Sequence, residues 1–371
     1  MLTRREFGRL ALTGVPAAAA LGGSEPIVRA FAQSKPNSLI DGVQIGTITY
    51  SYRSLPDQSA EATLRYVVDS GISAIELMGG PVEAFAGAPA SAGRGPGIGG
   101  GRPPGGPGGG APRETVAPPG TWKGEPCPPV PQGGPGGGGG GGRRETTPEQ
   151  QAAMKEQAAK LKAWRTSVSM EPFKKLRTMY NDAGATIYAW KLLSPNMSDE
   201  ELEYVFNVAE ALGCTHTTVE LTTDAAQLKR LGDLALKKKI YVAYHTHLQG
   251  NMTAFDEAFA LSKGNMANVD FGHWVAAGNV GGTPMQFLEK HHDRIASFHL
   301  KDRTTKEHCA LNLSWGTGET PIVEILQLVK KNRWKIPASI ELEYQIPEGS
   351  DAVKEVRKCV DYCRDALTAR T

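Results

Sequence analysis

"IYVAYHTH", residues 240–247, is a short apolar run rich in β-branched and aromatic residues that ends on two histidines. Its composition is that of a buried strand. Alternation along a strand sends residues i and i+2 to one side, so His245 and His247 are expected to face the same place. One histidine at a strand end is ordinary. A same-face pair suits metal binding or proton transfer, provided other groups converge on it. The next two apolar runs supply such groups: "ANVDFGH" (267–273) carries Asp270 and His273, and "IASFHLKD" (295–302) carries His299 and Lys301. Segments of helical periodicity, about 254–262 and 284–292, separate the three runs.

The same alternation extends in both directions. Upstream lie strand-like runs at 43–50, 73–78, 186–193 and 215–221, with helical segments at 59–71, 148–181, 198–212 and 224–238. Downstream come a helix at 320–332, the run "PASIELEY" (337–344) and a last helix at 351–368. Eight strand–helix units call for a parallel sheet, and over residues 40–368 they fit a closed (β/α)₈ TIM barrel. An open doubly wound sheet is the competing arrangement, but no Gly-x-Gly-x-x-Gly turn follows the first run. The pattern is interrupted once. Residues 87–144 are dominated by Gly and Pro, including "GPGGGGGGGRR", and are expected to form a disordered insertion within the barrel. A phosphate-binding loop is excluded there by the lack of a Gly-Lys-Ser/Thr ending.

A barrel carries its chemistry at the C-terminal ends of its strands. Those ends hold Glu76, Lys191, Glu220, His245 with His247, Asp270 with His273, His299 with Lys301, and Glu341 with Glu343. Chance supplies one such residue easily; five successive strands are another matter. His299 is the hardest to explain structurally, because an imidazole buried in "IASFHL" without a partner is costly. Mixed carboxylates and imidazoles favour Mn²⁺, Co²⁺, Zn²⁺ or Fe²⁺ over the all-oxygen shells of Mg²⁺ and Ca²⁺. The net charge of +2 and the absence of a dense Lys/Arg run argue against a nucleic-acid partner. The five cysteines are too scattered for a zinc ribbon or disulfide module, and Cys359 with Cys363 reads as a packed helical pair.

Three of these elements together resemble the sugar phosphate isomerase/epimerase family of xylose isomerase-like barrels: "VDFGHWVAAGN", "SFHLKDR" and "SIELEY". The resemblance implies a metal held by Asp270, His299 and Glu341, Mn²⁺ first, with His273 and Lys301 contacting a sugar; Glu76 is a further candidate substrate contact. At the fifth strand the family's usual Glu is replaced by His245, which leaves the fourth ligand open between His245 and Glu220. The expected chemistry is proton abstraction beside the carbonyl of a keto sugar, the metal acting as Lewis acid. Glu341, or His247 from the opposite side, moves the proton, with Glu220 a further catalytic candidate. Two facing bases give isomerisation or epimerisation; one base and one acid give β-elimination from a 3-keto-glycoside. A metal-dependent phosphoesterase and a non-enzymatic sugar-binding barrel rank below both, and self-association into a homo-oligomer is left open.

The amino terminus reads as an export signal. Arg4-Arg5 and Phe7 precede an Ala-rich segment, and "AFAQ" offers a small-x-small cleavage site after Ala32. Residues 1–32 are therefore expected to be a twin-arginine signal, sending a mature chain without a membrane span to the periplasm or beyond. Replacing both Arg4 and Arg5 by Lys should strand the precursor in the cytoplasm. Fractionation and immunoblotting check this, and unchanged periplasmic yield rejects the assignment.

Overall fold

The structure, a computed structural model, describes residues 35–89, 115–116, 120–128, 130–131, 147–194 and 196–369. The segment 1–32 and most of 87–144 lie outside these residues. Eight parallel strands close into a barrel: β1 (Val43–Ile48), β2 (Ala74–Met78), β3 (Thr186–Lys191), β4 (His216–Glu220), β5 (Tyr241–His245), β6 (Asn265–Asp270), β7 (Ile295–Leu300) and β8 (Ala338–Ile340). Each strand pairs with the next in chain order, and β8 returns to pair with β1. The helices are α1 (Ala60–Asp69), α2 (Gly79–Phe85), α3 (Pro148–Arg165), α4 (Glu171–Asp182), α5 (Asp199–Leu212), α6 (Ala225–Lys238), α7 (Asp256–Leu261), α8 (Phe271–Ala276), α9 (Pro284–His291), α10 (Ile322–Asn332) and α11 (Ala352–Thr368). Among the described residues, no helix is long and apolar enough to cross a membrane.

Local sequence sets the helix starts. Thr147 with Gln150, Ser198 with Glu201, and Thr283 with Gln286 form reciprocal capping boxes at α3, α5 and α9. Each box satisfies two backbone N–H groups that the first turn leaves without partners. The apolar stripes then dock on the barrel; α5 buries Leu202, Val205, Phe206 and Val208.

Four features differ from the sequence expectation. The helix expected over 148–181 is two helices. The hydroxyls of Thr166 and Ser167 bond back to the carbonyls of Lys162 and Ala163, and Pro172 sits in the first turn of the new helix. Only α4 buries side chains, so it is the barrel helix and α3 lies outside. β5 stops at His245, and β8 stops at Ile340, so His247, Glu341 and Glu343 project from chain beyond the ladders. α8 begins directly after Asp270 and carries His273, which is thus on a helix and not on a strand.

The fourth difference concerns the insertion. Thr121–Trp122 and Glu125–Pro126 pair as a short antiparallel hairpin, and Cys127 is disulfide-bonded to Cys309, 182 residues away, with a Cα–Cα distance of 5.2 Å. Cys359 and Cys363 are buried free thiols, as their helical spacing implies.

Phe298 on β7 is fully buried, its ring 5.3 Å from that of Phe271 at the start of α8. Phe298→Ala should lower the unfolding free energy by about 3–5 kcal/mol. Urea denaturation monitored by circular dichroism measures it; a loss below 1 kcal/mol would mean the cavity collapses around α8.

Candidate active site

The barrel axis is polar where β2, β4, β6 and β7 converge. Glu76, fully buried on β2, accepts a hydrogen bond from Thr218 Oγ1 on β4 (2.6 Å) and one from Asn268 Nδ2 on β6 (3.2 Å). Its Oε2 also lies 2.8 Å from Nε2 of His299 on β7. The other nitrogen of His299, Nδ1, is 2.8 Å from Glu341 Oε2, just past β8. The imidazole is thus gripped between two carboxylates. Burial opposes charge on His299, yet the two carboxylates prevail and carry its pKa up to about 10. Burial likewise pushes Glu76 up, but His299 brings it down to about 2. Glu76, expected as a substrate contact, has its carboxylate engaged by His299, Thr218 and Asn268.

Lys301 supplies a second cation. Its Nζ lies 3.0 Å from Asp270 Oδ2, 2.8 Å from Glu341 Oε2 and 2.7 Å from Glu343 Oε2. Burial alone would lower its pKa; the three carboxylates raise it. Burial raises Asp270, with Lys301 opposing, whereas Lys301 and His299 overcome burial at Glu341 and hold it well below the carboxylate range. Space is tight on this side: a Cβ on Gly272, at the start of α8, would overlap Cγ of Lys301, so only glycine admits the lysine stem.

His245, Asp270, His299 and Glu341 each present a ligand atom within 4.8 Å of the others, and all four are buried. Neighbouring register explains part of this: Asp270 on β6 is the ladder partner of His299 on β7. Burial, then the charges of Lys191 and His299, hold His245 well below its ordinary pKa, so it stays neutral with one ring nitrogen's lone pair free to coordinate. Its Nδ1 is buried with no hydrogen-bond partner, a cost of about 1–3 kcal/mol that a coordinated cation would remove. Two neutralisable imidazoles and two carboxylates form a donor set suited to a divalent transition metal. The residues fit such an ion.

Glu220 stands apart from that set. It is half-exposed, 2.8 Å from Lys191 Nζ, and its other oxygen is 3.4 Å from His247 Nδ1. Glu220, His245 and His247 form a second, more exposed grouping that shares His245. The same-face expectation for the two histidines thus holds in a different form. His245 closes β5 and is buried, while His247 lies beyond it and is half-exposed, with ring centroids 5.0 Å apart.

His273 on α8 completes the rim: its ring is 4.8 Å from that of His247 and its Nε2 is 3.8 Å from Glu343. Its Nδ1 is 2.6 Å from Nη1 of Arg303, a residue that the sequence reading did not single out. Asp302, between Lys301 and Arg303, serves the loop: its carboxylate accepts backbone N–H groups of Gly316, Thr317, Gly318 and Thr320.

No protein-family model matches the sequence, and no curated protein is similar to it. Solved structures are similar in fold. A sugar phosphate isomerase/epimerase from Parabacteroides distasonis superposes with a TM-score of 0.50 at 14% identity, over 89% of this chain and 96% of that one. A xylose isomerase domain protein from Alicyclobacillus acidocaldarius gives 0.51 at 13% identity, over 88% and 100%. A probable 3-DHS dehydratase from Bacillus anthracis gives 0.51 at 14%, over 89% and 100%. The chain is therefore a TIM barrel of the xylose isomerase-like kind; at these identities the likeness speaks for fold and not for reaction.

The Glu76–His299 pair makes stability depend on pH in chelator-treated protein. His299, raised from 6.5 to about 10, contributes fully below pH 6.5 and loses its contribution as pH rises through 10. Glu76, lowered from 4.5 to about 2, contributes fully above pH 4.5 and loses it as pH falls through 2. Glu76→Gln should therefore cost about 3–5 kcal/mol near pH 5.5 and clearly less near pH 9.5. Urea unfolding at the two pH values checks this; a cost independent of pH would mean that Glu76 and His299 do not form an ion pair.

Proposed function

We propose that the chain is a divalent-metal-dependent sugar isomerase or epimerase that moves a proton next to the carbonyl of a keto sugar. The observation that carries the reading is the buried set of His245, Asp270, His299 and Glu341 at the C-terminal mouth of a parallel barrel. These four residues hold the ion, Mn²⁺ first, with Co²⁺, Zn²⁺ or Fe²⁺ as substitutes. Glu220 is assigned away from it, because Lys191 already neutralises its carboxylate. A divalent ion at this place supplies Lewis-acid polarisation of a carbonyl and its neighbouring hydroxyl. Glu76 orients His299 from below. Lys301 and His273 meet the sugar oxygens.

Two residues can move the proton. Glu341 is engaged by both His299 and Lys301 and held in its ionised form, which weakens it as a base. His247, steadied by Glu220 and half-exposed at the rim, is free to take a proton and to return it. One observation favours a second reading, β-elimination from a 3-keto-glycoside. His247, half-exposed beside a Glu220 that Lys191 already engages, offers one base where epimerisation asks for two. Both kinds of chemistry are named among the structural neighbours, an isomerase/epimerase and a probable dehydratase.

We assign residues 1–32 to export and the mature chain to the periplasm. Support comes from the twin arginines and from the Cys127–Cys309 disulfide, which suits an oxidising compartment.

Purified mature protein with Mn²⁺ should exchange solvent deuterium into a ketose or a 3-keto-glycoside. Isomerised sugar supports the first reading and released aglycone the second. Alanine at His245, Asp270, His299 or Glu341 should lower bound metal and abolish turnover, and chelation should do the same. Glu220→Ala and His247→Ala should keep metal while turnover falls about 10²–10⁴-fold. Metal content by plasma mass spectrometry decides it: wild-type metal in all six variants would place the site elsewhere.

A further inference from the structure

The insertion reaches the site through a short chain of contacts. Its hairpin runs into Cys127, which is bonded to Cys309 in the loop after β7. The two segments are packed as well as bonded. A Cβ on Gly120, at φ +121°, would overlap the carbonyl oxygen of Glu307, and the Trp122 ring lies 5.7 Å from that of His308. Next come two non-glycine residues in the left-handed region, Cys309 (φ 76°) and Ala310 (φ 47°). Each costs about 1–2 kcal/mol and persists only where its surroundings hold it.

The outcome of that turn is a carbonyl within reach of a buried arginine. Arg303 Nη2 donates to the carbonyl oxygen of Ala310 at 2.5 Å, and its Nη1 donates to His273 Nδ1 at 2.6 Å. A guanidinium has donors only, so Nδ1 must be the acceptor and the proton of a neutral His273 sits on Nε2. Nε2 is the nitrogen on the side of Glu343.

We propose that the Cys127–Cys309 disulfide makes the insertion hairpin a positioning element of the site: it holds the Ala310 carbonyl that seats Arg303, and Arg303 keeps His273 in the tautomer that presents Nε2–H to a substrate oxygen. The inference rests on the reading of the mouth as a sugar site. Arg303 is a positioning residue here, acting through His273. A merely tolerated insertion could be shortened at little cost, since loop closure depends weakly on length; removing this one takes away Cys127 and with it the covalent tie to the 304–312 loop, which then rests on hydrogen bonds of its own, such as Ala310 N–H to the Thr305 carbonyl and Thr305 N–H to Glu319.

The test uses the full chain, ¹⁵N-labelled at its eight histidines, loaded with diamagnetic Zn²⁺ and read by long-range ¹H–¹⁵N spectra. His273 is assigned by its disappearance in His273→Gln. The oxidised wild type should show a bare Nδ1 and a protonated Nε2, well separated in shift. Cys127→Ser with Cys309→Ser, and separately Arg303→Gln, should narrow that separation as the two tautomers begin to exchange. Phosphine reduction of the wild type should narrow it too, which guards against a substituted chain that does not fold. A folded, disulfide-free chain that keeps the wild-type nitrogen pattern overturns the proposal. The spectra need no sugar, so failure of the sugar-site reading and failure of this inference are told apart.

Discussion

A carboxylate on the axis of a barrel has nowhere to go, and the arrangement around Glu76 follows from that. An isolated ionised carboxylate in such a place is prohibitively costly. Here Thr218, Asn268 and His299, from three other strands, converge on its two oxygens. His299 passes the demand outward to Glu341, and Glu341 to Lys301, which also joins Asp270 and Glu343. Glu76 and His299 are 223 residues apart, so the pair forms only when β1 bridges β8 and β2 and the barrel closes. The site is therefore not a set of groups added to a finished scaffold. Its ions are part of what the closed barrel must satisfy, and a loss of activity on substituting them has to be separated from a loss of stability.

The alternation of apolar runs with helical periodicity was enough to read the barrel, because both periods are dictated by the backbone and survive without knowledge of contacts. The strand-end residues were legible for the same reason. What remained hidden depends on three-dimensional neighbours. His245 and Glu220 were equal candidates for the fourth ligand, and only the structure shows that His245 is buried beside Asp270, His299 and Glu341 while Glu220 is half-exposed beside Lys191. Glu76 was legible as a strand-end residue, but its full burial against Thr218, Asn268 and His299 depends on three other strands. The Cys127–Cys309 bond spans 182 residues, and cysteine spacing over such a distance carries no information on pairing. Arg303 stood in plain view after "HLKD", but its role lies in a carbonyl set by the turn at Ala310.

Depth in the barrel divides the labour among these residues. Asp270 and His299 are fully closed to solvent and His245 nearly so, each fixed by strand register and by neighbours that cannot shift independently. His247 and Glu343 lie where the ladders have ended and Glu220 is the last residue of β4, and the side chains of all three are more exposed. Rigidity below and adaptability above suits the proton transfer proposed for this site. The electrostatic centre must not reorganise, while the proton-moving group must adjust to successive carbons of a ring.

That division also bears on how one barrel could come to prefer one sugar. On the proposed reading, the buried floor meets only a carbonyl with a hydroxyl beside it, a feature common to many sugars. Discrimination must come from the rim, and rim residues on loops are only as selective as their loops are ordered. His273 avoids this weakness twice over: α8 begins at once after β6, leaving no loop between, and Arg303 holds its Nδ1. The glycine-rich insertion, which by composition alone would be the least ordered part of the mouth, contributes the 121–126 hairpin at the far end of that same chain of contacts. On the proposed reading, a covalent bond does at the rim what buried ion pairs do on the floor: it removes freedom from a group that faces the substrate.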